Sequence, residues 1–570
     1  MNKNVNNLET LLQKHFDTAF DSPNGIKELR GLILKLAMMG KLVPQDANDQ
    51  PASELLKEIQ SEKKKLLAEG KIKKQKPLPK IKPEETPYEL PDGWIWCQLS
   101  NTGLINPKNK LEDTMNVGFV PMPRIQAKYG EIHTFETRIW KDIKKGYTHF
   151  GNNDIGLAKI TPCFENGKSC VFKNLPNGFG AGTTELHIYR NYKTIAFYPY
   201  FLLAYFKNPA FIENGKNKMT GSAGQKRVPR TYFSEAPVPL PPLNEQKRIV
   251  EKINELMSRC DEMERLKKEQ QDKRRKISVA ALHQLAESKD KNSFNSAFNF
   301  ITNNFSSLYS VKENVENLKK AILQLAMMGK LVPQNPTDQP ASELLKEIQS
   351  EKKKLLAEGK IRKQKPLPKI KPEEIPYELP DGWVWCRLGN VFNTISGYSF
   401  NKNIERAYGE IPYLKVADMN LPNNELQITT SSRYINPTNK MLKKLIPKNS
   451  IIFPKRGGAI ATNKKRIVTN KCFVDLNIMA ISILSGSDTF FLYYWLLNID
   501  LALLNTGTSV PQINHKDIDP LLFPLPPLNE QKRIVAKINE LMTLCDNMLD
   551  RIEKSEQTQD KLLKSILAKE

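Results

Sequence analysis

The chain has 570 residues, 39% of them apolar and 26% charged, with 86 Lys plus Arg against 62 Asp plus Glu and a net charge of +24. That length and apolar content mark a globular chain of several domains with room for at least two cores. The positive charge favours a polyanionic partner, of which nucleic acid is the commonest.

Taken in chain order, residues 26–39 place Ile26, Leu29, Ile33, Leu36 and Ala37 at helical spacing, with Gly40 as a stop. PASELLKEIQSEKKKLLAEG follows, with Ser53 as the expected N-cap and Gly70 as the stop. The lysine-proline stretch 71–85 reads as an extended linker. PDGWIWCQL, 91–99, is a turn into a strand. Residues 102–236 mix short β-like runs (GFVPM, HTFETRIW, IGLAKI, TELHIY) with one helical run, YFLLAYFKN. A long helix is expected after Pro241 and Pro242, with Ile249, Ile253, Leu256, Cys260 and Met263 at the 4-3-4-3 spacing of a coiled-coil seam. The stripe resumes at Ile277, Ala280 and Ala281. The Asn/Ser-rich stretch 288–306 reads as a linker.

The same frame then returns. Residues 325–389 match 36–100 at 57 of 65 positions, and 525–542 match 240–257 with one change, Glu251 for Ala536. A repeat of this length is a duplication of whole domains, not a solenoid. The second long helix carries Ile534, Ile538, Leu541, Cys545, Met548 and Ile552. Each long helix is expected to run about 40 residues, roughly 60 Å. Segments 101–236 and 390–522, enclosed by the repeated blocks, do not resemble each other. In the second, IPYLKV, SIIFPK and FVDLNIMAISIL read as strands and TFFLYYWLLN as a helix.

This gives a mixed α+β fold with a pseudo-twofold internal repeat. The expected layout is a helical region and linker (1–90), a first α/β domain (91–240), a long helix (241–287), a linker (288–311), a second helical region (312–378), a second α/β domain (379–525) and a last helix (526–570).

Known catalytic motifs are missing. GKS at 167–169 lacks the earlier glycine of a phosphate loop, and GFGAG at 178–182 reads as a glycine-rich turn, since no helix follows it. There is no NPPY or DPPY tetrapeptide. The six histidines (His15, His133, His149, His187, His283, His515) show no metal-ligand spacing, and none of the seven cysteines forms a CxxC pair, so no metal is expected. The odd cysteine count and the lack of a signal peptide suggest a reducing cytoplasm. No apolar run is long enough to span a membrane.

Both unlike segments are basic in their own right, 19 basic against 10 acidic residues over 102–240 and 15 against 9 over 391–525. MTGSAGQKRVPR (219–230) offers Ser222, Gln225, Lys226, Arg227 and Arg230 for phosphates or base edges, where Arg favours guanine and Gln adenine. AKITPCFENGKS (158–169), with Lys168, is a similar polar loop. In the second segment NTGTSVPQINHKDI (505–518) offers Thr506, Thr508, Ser509, Gln512 and Asn514. PKRGGAIATNKKR (454–466) offers Lys455, Arg456, Lys464, Lys465 and Arg466. Each loop taken alone is equally a solvated basic loop; their paired placement points to DNA.

With PLPPLNEQKRIV and LAMMGKLVPQ…PASELL each present twice, and GSAGQKRVP and GTSVPQIN between them, the chain resembles the specificity subunit of type I restriction-modification systems over essentially its whole length. The resemblance implies two target recognition domains, each reading one half of a bipartite site in double-stranded DNA. It implies long antiparallel helices that set the spacing and, through Ile249, Ile253, Leu256, Met263, Ile534, Ile538, Leu541 and Met548, bind two modification subunits. It further implies two restriction subunits, with S-adenosylmethionine, ATP and Mg2+ used by the complex and no cofactor held by this chain. Half-sites on one face of DNA lie one helical turn, about 34 Å, apart. Two other readings remain. A standalone two-domain DNA-binding protein would need no modification subunit, and a fused restriction enzyme would nick or methylate DNA alone.

Overall fold

The structure, a computed structural model, describes residues 22–73, 78–362, 364–484, 486–504 and 510–567. The chain divides into two units, one running to Gln270 and taking in the residues from Ser555, the other Gln271–Lys554.

In the first unit, helices α1 (Gly25–Met38) and α2 (Ala52–Ala68) precede strand β1 (Ile95–Gln98). Gly40 ends α1 at φ +67°, where Lys41 N–H returns to the Leu36 carbonyl. A Cβ at Gly40 would stand 2.4 Å from Pro91, so this stop is also a packing contact. Helix α2 starts one residue before the expected cap. Pro51 occupies the cap position, and the Ala52 N–H donates to the Gly93 carbonyl at 2.9 Å.

The first α/β domain follows. Its strands are β2 (Gly103–Ile105), β3 (Asn116–Val120), β4 (Glu136–Ile139), β5 (Thr148–Gly151), β6 (Ile155–Ala158), β7 (Ser169–Val171), β8 (Phe179–Gly182) and β9 (Leu186–Asn191). They form two sheets, β2-β9-β6-β7 and β4-β3-β8-β5. Helix α3 (Pro199–Phe206) is buried almost all round. Strand β10 (Pro237–Leu240) then pairs antiparallel with β1, Cys97 opposite Val238, and closes the domain at its base. Helix α4 (Leu243–Glu287) leads out over 45 residues.

GFGAG forms strand β8, not a turn. Gly182 is glycine because a Cβ there would lie 2.2 Å from the Val120 carbonyl on the parallel neighbour β3. The Phe150–Phe172 stack, 3.6 Å between ring centroids, fills the space beside it.

The second unit adds helices where the sequence shows only an Asn/Ser-rich stretch. Residues 288–311, expected as a linker, carry helix α5 (Lys291–Asn303) and a further turn (Phe305–Leu308). The Asp290 carboxylate caps α5 by accepting from Asn292 and Ser293 N–H at 2.8 Å, and Ala297 and Ile301 are buried one turn apart. Helices α6 (Lys312–Met327) and α7 (Ala341–Ala357) repeat α1 and α2. The strands are β11 (Val384–Arg387), β12 (Asn393–Ser396), β13 (Ile411–Leu414), β14 (Gln427–Ile428), β15 (Tyr434–Ile435), β16 (Ile451–Pro454), β17 (Arg466–Val468), β18 (Phe473–Val474), β19 (Ile478–Ser482) and β20 (Leu522–Leu525). Helix α8 (Thr489–Leu497) matches α3, and α9 (Leu528–Leu567) runs 40 residues.

The two α/β domains, unlike in sequence, share one topology. Order β12-β19-β16-β17, with β14 added at the edge, repeats β2-β9-β6-β7. Order β15-β13-β18 repeats β4-β3-β8, including its parallel pair.

The repeated blocks are alike because they pack on each other inside each unit. Arg248 pairs with Asp49 at 2.7 Å, and Arg533 with Asp338 at 2.8 Å. Buried Glu245 accepts from Gln45 and from Trp94 Nε1, while Glu530 accepts from Gln334. Buried Gln246 accepts the Tyr198 N–H at 2.7 Å and donates to the Ala196 and Pro241 carbonyls. Gln531 accepts the Asp488 N–H at 2.9 Å and donates to the Pro526 carbonyl. One repeated frame thus grips the domain it encloses, once per unit.

Candidate nucleic-acid interface

Residues 219–230 fold as a hairpin. Thr220 and Arg227 exchange backbone hydrogen bonds at 3.0 and 2.8 Å, and Ser222, Gln225 and Lys226 stand exposed at its turn. The hairpin is stitched to the segment after β6: Thr161 N–H donates to the Lys226 carbonyl at 2.9 Å, and Val228 N–H to the Lys159 carbonyl at 2.8 Å. This crossed corner joins the two polar loops that the sequence singles out in the first segment. Arg230, exposed, begins the short helix Arg230–Glu235 that follows.

The second domain builds the same corner. Gly457 N–H donates to the Pro511 carbonyl at 2.8 Å, and Ile513 N–H to the Lys455 carbonyl at 2.9 Å. Arg456 faces Gln512 as Ile160 faces Arg227. Through this register Lys455 matches Lys159, Gln512 matches Arg227, and His515, first residue of the helix His515–Ile518, matches Arg230. Arg456 is exposed, with Nη2 donating to Gln512 Oε1 at 3.3 Å; Gln512 in turn donates to Asn514 Oδ1 at 2.8 Å. A guanidinium oriented by a glutamine amide presents a planar fork suited to a guanine edge or a phosphate.

The remaining predicted residues divide by what holds them. The Arg227 guanidinium is clamped by Glu185 through two bonds of 2.9 Å and donates to the Gln225 carbonyl, so it braces the hairpin. That clamp holds the Glu185 carboxyl below its usual range. Lys168 is half-buried and donates to the Met122 carbonyl at 3.3 Å. Lys464 donates to Asn420, and Arg466 to the Lys465 carbonyl. Lys465 is a correction. It is 1% exposed, donates to Asn463 Oδ1 and the Ile499 carbonyl, and burial pulls its pKa down to about 8. It is an internal strut with no access to a duplex. Thr506, Thr508 and Ser509 lie outside the described residues.

The helix seam needs a second correction. Ile249 and Ile253 are fully buried in the first unit's core, as Ile534 and Ile538 are in the second's. Leu256, Leu541 and Met548 pack partly buried on those cores, and Met263 is half-buried. The four isoleucines hold α4 and α9 to their own domains and cannot face a separate subunit. The stripe also resumes at Ser278, Ala281 and Leu282, leaving Ile277 46% exposed.

The sequence reading passed over Lys159, which stands one residue past an apolar strand, as Lys455 does in IIFPK. It also missed the histidines of both corners. His187 on β9 hydrogen-bonds the Val228 carbonyl at 3.1 Å, stacks on Phe233 and is held neutral by burial, its pKa pulled down to about 4. Among the described residues no group of His, Cys, Asp or Glu converges to hold a metal, and no helix is long and apolar enough to cross a membrane.

The family model of the type I restriction modification DNA specificity domain matches twice, over residues 97–271 and 380–556, one match for each corner-bearing domain. The chain belongs to the type I restriction-enzyme specificity subunits. It is 44% identical to the type I restriction enzyme EcoAI specificity subunit of Escherichia coli, over 94% of this chain and 92% of that one. It is 39% identical to the EcoEI specificity subunit of the same species, again over 94% and 92%. A chain solved in work on complex assembly and conformational transition of the type I R-M system shares the fold. That chain has a TM-score of 0.50 at 20% identity, and the match covers 84% of this chain and 99% of that one. As a specificity subunit the protein is a non-catalytic DNA-recognition component of a restriction enzyme, with other subunits of the system as partners.

Proposed function

We propose that each α/β domain of this specificity subunit reads one half of a bipartite DNA site through its crossed corner. The observation that supports this is one backbone corner built twice with unlike side chains, Lys159, Lys226, Gln225 and Arg230 on one, Lys455, Arg456, Gln512 and Asn514 on the other. A common backbone places both readers alike on DNA, while different donors at matched positions select different bases. Lysines on each corner supply the salt-dependent phosphate attraction. The repeated frame and its long helices set the distance between half-sites and dock two modification subunits, which methylate adenine N6 with S-adenosylmethionine after the base leaves the stack. Two restriction subunits add ATP- and Mg2+-dependent cleavage. The assembly works in the cytoplasm.

The test is a genome-wide map of N6-methyladenine in cells expressing this chain with its modification subunit, against cells lacking the chain. A new two-part motif with a fixed gap, methylated once per strand, is expected. Exchanging residues 391–522 for another member's segment should change one half of that motif only. A change in both halves, or no new methylation from a soluble complex, would overturn the reading; the latter favours a standalone DNA-binding protein.

A further inference from the structure

Behind the second corner lies a polar chain with no counterpart in the first. Asp519 Oδ1 accepts the Thr394 hydroxyl at 2.7 Å. With its hydrogen committed there, Thr394 Oγ1 can only accept from His515 Nδ1, also at 2.7 Å. The ring therefore carries its proton on Nδ1 and leaves Nε2 as an acceptor for the Ser396 hydroxyl at 3.0 Å. Ser396 Oγ in turn accepts from Lys455 Nζ at 2.9 Å. Thr394 and Asp519 are buried, and His515 and Lys455 are half-buried. With Asp519 ionised, each link fixes the direction of the next, from the carboxylate through the ring to the Lys455 ammonium.

The links come from three parts of the domain. Thr394 and Ser396 belong to β12, Lys455 follows β16, His515 opens the short helix after the corner and Asp519 follows that helix. His515, with one ring nitrogen on Thr394 and the other on Ser396, together with Asp519, ties the outgoing arm of the corner to the strand that braces its incoming arm through Lys455. In the first domain Arg230 stands at the place of His515 and Ile105 at that of Thr394, so the chain cannot form there.

We propose that His515 is a positioning residue for specificity, fixing the register of Lys455, Arg456 and Gln512 toward the second half-site. The proposal rests on the corner being the reading surface. Burial lowers the pKa of His515 from 6.5. The charges facing it are Asp519, which favours protonation, and Lys455 and Arg362, which oppose it; Lys352 acts on Asp519. Protonation reverses the Nε2–Ser396 bond: Ser396 Oγ must then accept from two cations, the imidazolium and the Lys455 ammonium, and its own hydrogen loses the Nε2 acceptor. The second corner should therefore lose its register in acid, below pH 6.5, and the first should not.

The test uses the full chain with its modification subunit and measures affinity for duplexes altered in one half-site at a time, from pH 8 to pH 5.5. H515F should relax discrimination in the second half by about tenfold, which corresponds to about 1.4 kcal/mol. It should leave the first half unchanged and abolish the acid loss of second-half discrimination. S396A, which keeps the ring and removes its Nε2 partner, should relax the same bases in a complex of normal stability. Retained second-half discrimination in both variants would overturn the proposal, as would equal loss in both halves. R456A separates the two levels. If it leaves second-half discrimination intact, the corner is not the reading surface. If it relaxes that half while H515F and S396A do not, only the role of His515 fails.

Discussion

The duplicated frame allows one perturbation to be made twice in the same molecule. Gln246 and Gln531 are both buried and both open a long helix, but their partners differ in number. Replacing Gln246 by Leu keeps most of the volume and strands three groups: the half-buried Tyr198 N–H and the buried carbonyls of Ala196 and Pro241. Replacing Gln531 by Leu strands two, the Asp488 N–H and the Pro526 carbonyl. A buried polar group left without a partner costs about 1–3 kcal/mol. The first variant should therefore lose at least about 3 kcal/mol of local stability and the second at least about 2 kcal/mol. Hydrogen exchange read by mass spectrometry across a urea series, following peptides 186–206 and 478–497, reports each domain separately. Each variant should loosen its own domain, Q246L more than Q531L. Stability within about 0.5 kcal/mol of the parent in both variants, the range of an ordinary surface change, would refute the view that these glutamines clamp the readers.

Three further outcomes are expected. Gly182→Ala drives a Cβ against the Val120 carbonyl and should destabilise the first reader by about 1–3 kcal/mol, read by the same exchange experiment, with the second reader untouched. His187 has a folded pKa of about 4 against an ordinary 6.5, so the unfolded chain binds its proton first. Its contribution is present above pH 6.5 and is lost as pH falls from there toward 4, about 3 kcal/mol in all. H187F should flatten that acid limb in stability measured against pH, and an unchanged slope would count against a buried neutral ring. Lys226→Ala and Arg230→Ala should each lower the slope of log affinity against log salt by about 0.9 if each meets one phosphate; unchanged slopes in titrations from low to moderate salt would remove them from the interface.

The sequence made the local elements legible wherever period and punctuation agreed. The stripe of α1 with Gly40 behind it, the β1 strand after PDG, and the long helices after paired prolines all needed only neighbouring residues. The common topology of the two domains was not legible. Sheet order depends on side-chain volume and alternation spread over more than a hundred residues, and Ile481 can stand where Tyr189 stands without leaving a readable trace. The helix within 288–311 was not legible for a compositional reason, because Asn and Ser masked Ala297 and Ile301 spaced one turn apart. The 4-3 seam was real, but such spacing says that a stripe is buried and not what buries it. Lys465 failed for a simpler reason, since a run of three basic residues entering a strand must turn alternate side chains to opposite faces. The positions of Lys159 and His515 became meaningful only when backbone pairing aligned two loops that share no motif.

The ladder between β1 and β10, and its twin between β11 and β20, has a consequence for chain length. Each brings the two ends of its insert side by side, within the spacing of adjacent antiparallel strands. The entropy of closing such a loop grows only with the logarithm of its length, so doubling an insert adds about 0.6 kcal/mol. Residues 99–236 and 388–521 therefore hang from their frames almost as side chains hang from a backbone, with size a weak variable and attachment a strong one. A subunit built this way can vary what it carries between the ladders without renegotiating how it is held together.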